Sequence, residues 1–371
     1  MNFFLLFLTI ISINSSLLAQ DKYLDNHSCN ECHEKIYEEY QSSAHSKGYF
    51  NDELHREIAN RASPSKYGCA SCHMPMADNL SDLISGDARP NKNNKTHTDA
   101  ISCFFCHTIA YVKTSHKFNV NIKARQAKHY KPTLYGRLDN PDDSDKHSSS
   151  SNPVYGKKVC MGCHSHKLND NNITIFKAME DKDNSLSCIK CHMPELDGGA
   201  EKMDKRSRGQ HSSHKFLGIR DKEFRKKGMD IAIDVNKNIL HITITNKTTH
   251  PLIVQPARVK FLEITIFRDN KIIWKNYKNH PKEDKQAYFS YSFKSGDKKV
   301  ILPVTATSSK VNNLYAKESR TLDYNIPSII KDDKISIKLF VKLAKDDCMS
   351  VIDVNKELNK AMLMKSIDKI W

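Results

Sequence analysis

The sequence predicts a multidomain chain: a mainly α-helical and irregular N-terminal domain, an all-β sandwich of immunoglobulin-like type, and a short C-terminal helix. Ten of the 11 cysteines fall between residues 20 and 222 of the 371-residue chain. From residue 226 to 345, short runs instead alternate apolar and polar residues, as strands with one buried face do. A chain of this length favours two domains. The predicted segments are a signal segment 1–19, an N-terminal domain 20–222, a sandwich 226–345 and a helix 353–371.

Individual elements follow from the spacing of apolar residues. Ile36, Tyr37 and Tyr40 recur at helical spacing and predict a helix over 34–43. Near-helical spacing of Leu358 and Met362 predicts the C-terminal helix. Period-two alternation predicts seven or eight strands in the sandwich. The clearest strand runs are 231–235, 239–245, 261–267 and 335–341.

The first residues predict export. The apolar run after Met1 is shorter than the roughly 20 residues that span a bilayer, and it ends in small residues up to Ala19. This pattern is typical of a cleaved signal peptide and predicts a periplasmic protein, with an uncleaved N-terminal anchor as the alternative. No later segment of the sequence is apolar enough to cross a membrane, so none is expected after cleavage.

The cysteines follow one pattern, Cys-x-x-Cys-His, five times, with Cys348 alone outside it. Two thiols at this spacing add to the two vinyl groups of a haem, and the adjacent histidine binds its iron as the proximal ligand. The pattern therefore predicts five covalently bound haem c groups. Their thiols are Cys29, Cys32, Cys69, Cys72, Cys103, Cys106, Cys160, Cys163, Cys188 and Cys191. Their proximal ligands are His33, His73, His107, His164 and His192.

The charge is strongly basic, at +15 with a pI near 9.2. Haem propionates would offset part of this excess, so the lysines serve as counter-charges and keep the protein soluble. Predicted export argues against a nucleic-acid partner.

The second axial ligand of each iron distinguishes an electron carrier from an enzyme, because an iron with two histidine ligands has no open coordination position for substrate. Of 18 histidines, five end a motif and 13 do not. His45 lies 12 residues after His33. If that stretch is helical, the two are roughly 18 Å apart along the axis. His45 is therefore expected to bind the iron of a neighbouring haem.

Several motifs resemble the multihaem cytochromes related to hydroxylamine oxidoreductase and to the tetrahaem cytochrome that accepts its electrons. The first motif is followed by Tyr40 and by Ser-Ala-His at 43–45, Cys-His-Met-Pro occurs at 72–75 and 191–194, and His-Lys-Phe-Leu-Gly occupies 214–218. The resemblance implies that His45 and His214 are distal ligands, together with His97 and His116. The fifth distal ligand is open among His55, His129, His147, His211 and His250, of which His211 completes the predicted set.

These features predict an electron carrier more than a catalyst. The expected partners are redox proteins: a membrane quinol-oxidising cytochrome or a periplasmic reductase. The alternative is a haem-based reductase of a nitrogen or sulfur oxyanion with one open iron site. Hydroxylamine oxidoreductases carry eight haems, whereas this sequence has five motifs. It also lacks the Cys-x-x-Cys-Lys motif of the lysine-ligated catalytic haem in pentahaem nitrite reductase. Both absences from the sequence weaken the enzyme interpretation. In a third interpretation, the sandwich docks the haem region onto a larger complex.

Overall fold

A computed structural model describes residues 23–126, 130–179, 188–199 and 208–371. The predicted signal segment 1–19 and His129 lie outside these residues. The helices are α1 (Asn26–Asn30), α2 (Glu34–Ser42), α3 (Glu53–Ala62), α4 (Ala70–His73), α5 (Leu80–Ser85), α6 (Lys95–Thr98), α7 (Cys103–His107), α8 (Val154–Lys157), α9 (Met161–His164), α10 (Cys188–His192), α11 (Lys222–Arg225) and α12 (Asp346–Met349).

The strands of the N-terminal half are β1 (Ile109–Lys113), β2 (Val120–Lys123), β3 (Thr133–Gly136), β4 (Ser148–Ser151), β5 (His166–Leu168), β6 (Thr174–Lys177), β7 (Glu195–Asp197) and β8 (Gln210–Ser212). The strands of the C-terminal half are β9 (Met229–Asn236), β10 (Ile239–Asn246), β11 (Val259–Arg268), β12 (Lys271–Lys275), β13 (Tyr288–Ser295), β14 (Lys298–Val300), β15 (Ser308–Asn312), β16 (Ser319–Asn325), β17 (Lys334–Lys342) and β18 (Met362–Ile370).

Short helices and long connections make up the N-terminal half, as the sequence predicts. The helix expected over 34–43 is confirmed as α2. The sequence pattern did not reveal four small two-stranded sheets, which pair β1 with β2, β3 with β4, β5 with β6 and β7 with β8. Each of these strands has only three to five residues, too few for an alternating pattern to stand out.

The C-terminal half is β-rich, and all four of the clearest predicted strand runs are confirmed, as β9, β10, β11 and β17. A three-stranded sheet has the order β16-β10-β9, and a seven-stranded sheet has the path β14-β13-β11-β17-β18, with β12 beside β11 and β15 beside β13. All pairings in these two sheets are antiparallel. The finer immunoglobulin-like assignment stays a prediction.

One hydrophobic core joins these two sheets. Leu240 and Ile242 of β10 share a cluster with Ile264 of β11 and Ile337 of β17, and all four side chains are fully buried. Burying such a side chain contributes about 1.5–3 kcal/mol. The alternation along β10, with every second residue buried, follows from one face packing on this core while the other faces solvent.

The predicted C-terminal helix is wrong. Residues Met362–Ile370 form β18, which pairs with β17 from Lys334 to Val341. The apolar spacing that suggested a helix is overridden by this pairing, because β18 supplies hydrogen-bond partners to a sheet edge that would otherwise be open. The β-rich region therefore extends to Ile370 rather than ending at residue 345.

The two halves pack against each other through α3. Leu54 and Ile58 of this helix contact a cluster that contains Leu302, Ala344 and Cys348 from the β-rich half. Cys348 is 1% exposed, which accounts for the one cysteine outside the motifs as an apolar packing residue. This contact ties the helix that carries His55 to the β-rich half.

Within the residues that the structure describes, no helix has both the length and the apolar character needed to cross a membrane.

Candidate haem-binding sites

Each Cys-x-x-Cys-His motif forms one helical turn. The histidine N–H donates to the carbonyl of the first cysteine, at 2.9 Å between His33 and Cys29 and at 2.8 Å between His164 and Cys160. In such a turn, positions i, i+3 and i+4 lie on one face. Both thiols and the imidazole of a motif therefore point to the same side, which suits attachment of a haem through two sulfurs beside its proximal ligand.

Every motif histidine faces the ring of a second histidine. Two imidazoles on opposite sides of one metal, each at about 2.0 Å from it, have ring centres roughly 6 Å apart. The ring centres are 6.2 Å apart for His33 and His147, 6.2 Å for His107 and His214, 5.9 Å for His164 and His45, 6.5 Å for His192 and His250, and 4.3 Å for His73 and His55. Four of the five separations fit an iron between the rings, and the fifth pair is closer. We call His147, His214, His45, His250 and His55 the facing histidines.

Every facing histidine lies in a different helix or loop from its partner, and in every pair but that of His55 and His73 the two are far apart in sequence. His45 faces His164, the fourth motif histidine, and so does not serve the adjacent first motif. His250 reaches His192 from the segment that joins β10 to β11, so the β-rich half contributes directly to a site in the N-terminal half.

Backbone carbonyls orient several of these rings. Nδ1 of His107 donates to the carbonyl of Tyr135 at 2.7 Å, and Nδ1 of His214 donates to that of Ser212 at 2.9 Å. Nδ1 of His250 likewise donates to the carbonyl of Pro251 at 2.9 Å. A donating Nδ1 fixes the tautomer and leaves the Nε2 lone pair free for a metal.

Burial keeps the facing rings neutral, which is the form that binds a metal. Burial, reinforced by the nearby His164 and His192, lowers the pKa of His45 to about 3. Burial also lowers the pKa of His214 to about 4 and that of His250 to about 4. Nδ1 of His45 and Nε2 of His55 are buried and have no hydrogen-bond partner among the described residues. Burying a ring nitrogen without a partner costs free energy, and an iron bound to this nitrogen would supply the partner.

Thiols from different motifs are neighbours, and this gives the order of the sites. Cys29 interacts with Cys103, Cys72 with Cys163, and Cys160 with Cys188. The first motif therefore lies beside the third, the second beside the fourth, and the fourth beside the fifth. Cys106 of the third motif is also close enough to raise the pKa of both thiols of the fourth motif, so these two motifs are neighbours as well.

The fourth motif requires a glycine because another element approaches it closely. A Cβ on Gly162 would lie 2.0 Å from the side-chain oxygen of Asn121, which belongs to β2. Only glycine allows β2 to pack this closely against the motif. Beside this contact lies a cavity of 390 Å³ whose walls include Cys72, Cys163 and Phe105.

The structure brings the predicted ligands His45 and His214 against motif histidines, but it places His97, His116 and His211 elsewhere. Nδ1 of His97 accepts from the N–H of Asn91 at 3.0 Å, and its Nε2 lies 2.8 Å from Oδ1 of Asn79. Both ring nitrogens are thus occupied and no lone pair remains for iron. His97 is therefore not supported as a ligand.

His116 is exposed, and its Nε2 bonds to Oδ1 of Asn172 at 3.1 Å. His211 is buried, with Nδ1 at 2.9 Å from the carbonyl of Gly198 and Nε2 at 3.2 Å from Oε1 of Glu39. Both ring nitrogens of His211 are therefore engaged with oxygen atoms. The other oxygen of Glu39 accepts from the backbone N–H of His214 at 2.8 Å. Glu39 therefore links His211 to the backbone of His214, and the hydrogen bonds of His211 leave neither of its ring nitrogens without a partner.

His55, His147 and His250 take the places that the sequence assigned to His97, His116 and His211. All three were among the open candidates for the fifth ligand. For His250, the available signal was its place in Thr-His-Pro at 249–251, shortly after the predicted strand run 239–245. Nothing in the local sequence around His55 or His147 distinguishes them from surface histidines.

Paired imidazoles beside paired thiols are features of multihaem c-type cytochromes, and two comparisons with known proteins support this class. Residues 28–108 match the family model described as cytochrome c554 and c-prime. The fold is similar to that of a penta-heme cytochrome c552 from Thermochromatium tepidum, with a TM-score of 0.73 and 20% identity over 94% of this chain and 99% of that chain. No curated protein matches the sequence.

Proposed function

We propose that this chain is a periplasmic c-type cytochrome that binds five haems covalently and carries electrons between redox partners. The observation that carries the proposal is the set of five imidazole pairs, one for each Cys-x-x-Cys-His motif. A haem iron held between two imidazoles is low-spin, has no open position for substrate, and exchanges single electrons.

In this proposal the motif cysteines hold the haems through thioether bonds, the motif histidines are proximal ligands, and the facing histidines are distal ligands. The chain orients the imidazoles through backbone carbonyls and keeps them neutral by burial. The crossed connections, such as His45 with His164, tie distant segments together, so that each haem would act as a crosslink within the fold.

The neighbouring thiols support a branched path for electrons. The first site leads to the third, the third to the fourth, and the fourth adjoins both the second and the fifth. We propose that the fourth haem, whose distal ligand is His45, is the junction of this path.

The carrier and the reductase differ in one observable property. A reductase needs an iron with a single imidazole, whereas here each motif histidine faces a second ring. The test uses the full chain produced in a host that attaches haem. Intact mass and a haem assay should give five haems per chain, and nitrite or hydroxylamine should leave the absorption spectrum of the oxidised protein unchanged. Fewer haems would contradict the count, and a stoichiometric spectral change would favour the reductase.

Export and partners are part of the same proposal. The mature chain is expected to begin after Ala19 and to be recovered from the periplasmic fraction. Rapid mixing of the oxidised protein with a reduced quinol-oxidising cytochrome should reduce all five haems. A full-length N-terminus in the mature protein would contradict cleavage, and failure of the haems to accept electrons would contradict the carrier role.

A further inference from the structure

A cluster of cations lies where α3 meets the start of β11. Nη2 of Arg220 bonds to Oδ2 of Asp52 at 2.7 Å, and Asp52 is the N-cap residue of α3. Arg258 directly precedes β11 and Lys260 is the second residue of this strand, and the charge of Arg258 acts on Lys260. We call Arg220, Arg258 and Lys260 the cation cluster.

Among the described residues, the one ion pair of the cation cluster is that of Arg220 with Asp52. Nε of Arg258 is buried and has no hydrogen-bond partner among the described residues. Lys260 is 7% exposed, and its Nζ donates to the carbonyl of Leu252, which is an uncharged partner. The carboxylate of Asp52 raises the pKa of Arg258 through its negative charge, but this carboxylate is already paired with Arg220. Burial lowers the pKa of Arg258 to about 10 and that of Lys260 to about 7. Buried cations of this kind are stable when an anion lies beside them.

The cation cluster borders two of the facing histidines. Oδ1 of Asp52 accepts from the backbone N–H of His55 at 3.2 Å, so the Arg220–Asp52 pair lies at the helical turn that carries His55. Leu252, which accepts from Lys260, follows His250 by two residues. The positive charges of Arg258 and Lys260 act on His55 and His250 respectively. The cluster therefore adjoins the second and the fifth sites.

We infer that the cation cluster binds the propionate carboxylates of the haems held at His73 and at His192. This inference rests on the proposed function, because it needs haems at both sites. A guanidinium and a carboxylate form charge-assisted hydrogen bonds, and Nε of Arg258 offers an unused donor for one. The β-rich half would then supply to the haem region a distal ligand, His250, and the counter-charges of two haems.

A consequence follows for the reduction potentials. A fixed positive charge near an iron favours the reduced form, because reduction removes one positive charge from the haem. The cation cluster should therefore raise the potentials of the second and fifth haems relative to sites without such a charge. The second and fifth haems, which are two of the three ends of the branched path, would become the preferred places for electrons to rest.

The experiment is redox titration of the complete holoprotein, followed optically, for Arg258→Gln and Lys260→Met. In each variant we expect the equilibrium constant for reduction of at least one of the five haems to fall about tenfold. For a one-electron wave, this change lowers the reduction potential by about 59 mV. Propionate bending bands in the resonance Raman spectrum should shift in the same variants. Arg258→Lys keeps the charge and should restore the position of the wave. Lys310→Met removes an exposed charge from β15 and is the matched control, with no expected change.

Two results would overturn the inference. The first is five attached haems with unchanged waves and unchanged propionate bands in both neutral variants. The second is a wild-type wave that moves with added chloride or nitrate at constant ionic strength, which would identify a free anion in the cluster. If Arg258→Gln does not accumulate, Lys260→Met alone decides. A wild-type haem count below five would instead count against the proposed function.

Discussion

At the scale of single residues, the use of the ring nitrogens distinguishes an iron ligand from an ordinary histidine. His97 and His211 engage both nitrogens in hydrogen bonds, whereas His214 and His250 donate from Nδ1 to a carbonyl, which places the lone pair on Nε2. No local sequence pattern predicts this difference, because it depends on which carbonyls and amides surround the ring after folding.

His45 gives the sharpest test of the crossed ligation. Replacing His45 with alanine should convert one haem to the high-spin state, because the iron beside His164 would lose its second imidazole. All five haems should remain attached, since attachment needs only the thiols. EPR of the oxidised variant measures the spin state, and intact mass measures the haem count.

His116→Gln is the matched control, because His116 is exposed and bonds to Asn172. This variant should keep every haem low-spin. A low-spin His45→Ala protein, or a high-spin His116→Gln protein, would contradict the assignment of these two residues.

Glu39 supports a ligand without touching the iron site. Its carboxylate, 7% exposed, accepts from the backbone of His214 and from the ring of His211. Glu39→Ala leaves both donors buried and unpaired, and it should lower the free energy of unfolding by about 3 kcal/mol. It should also make part of the third haem high-spin by loosening His214.

Glu39→Gln separates positioning from charge. The amide oxygen can still accept from the N–H of His214, and the amide group can still form a hydrogen bond with the ring of His211. This variant should keep the third haem low-spin while losing less stability than Glu39→Ala. Urea titration and EPR measure the two effects, and equal damage from both substitutions would argue against a positioning role.

At the scale of elements, the segment between β10 and β11 decides whether His250 reaches His192. Asn246, fully buried at the end of β10, donates to the carbonyls of His250, Leu314 and Tyr315 and accepts from the backbone N–H of Thr248. These bonds fold the segment back over the haem region. Asn246→Ala should lower the free energy of unfolding by about 1–3 kcal/mol, because buried carbonyls lose their donor.

The same variant should make the fifth haem partly high-spin, as EPR would show. Thr243→Ala is the control on the same strand, because Oγ1 of Thr243 bonds to Thr321 on the solvent face. That control should change neither stability nor spin state appreciably. A fully low-spin Asn246→Ala protein would mean that the segment does not hold His250 in place.

Elements differ in how far the sequence predicts them. The strands β9, β10, β11 and β17 are predictable from their long alternating runs of residues, because one face of each is buried or partly buried along its length. The C-terminal strand β18 does not, since its conformation comes from pairing with β17. The motif histidines follow from their cysteines, but the facing histidines depend on contacts between distant segments.

At the scale of the whole molecule, buried neutral imidazoles make stability depend on pH. Burial lowers the pKa of His214 to about 4 and that of His250 to about 4, whereas a histidine in an unfolded chain titrates near 6.5. Between these values the unfolded chain binds protons that the folded chain does not. The free energy of unfolding should therefore fall as the pH decreases from about 6.5 to about 4.

Each of these two imidazoles contributes roughly 3 kcal/mol to that loss. Urea titrations of the holoprotein at a series of pH values, followed by the low-spin haem absorption, measure it. The exposed His116→Gln variant should give the same profile as the wild type. Stability that stays constant across this range would contradict neutral, buried ligands.

In the proposed function, five irons are each held between two imidazoles. Quantitative EPR of the oxidised wild-type protein, integrated against the haem count, tests it most directly. We expect five haems per chain, with low-spin signals of bis-imidazole type that together represent all the iron. One equivalent of high-spin iron, or low-spin signals of another ligand type, would contradict it.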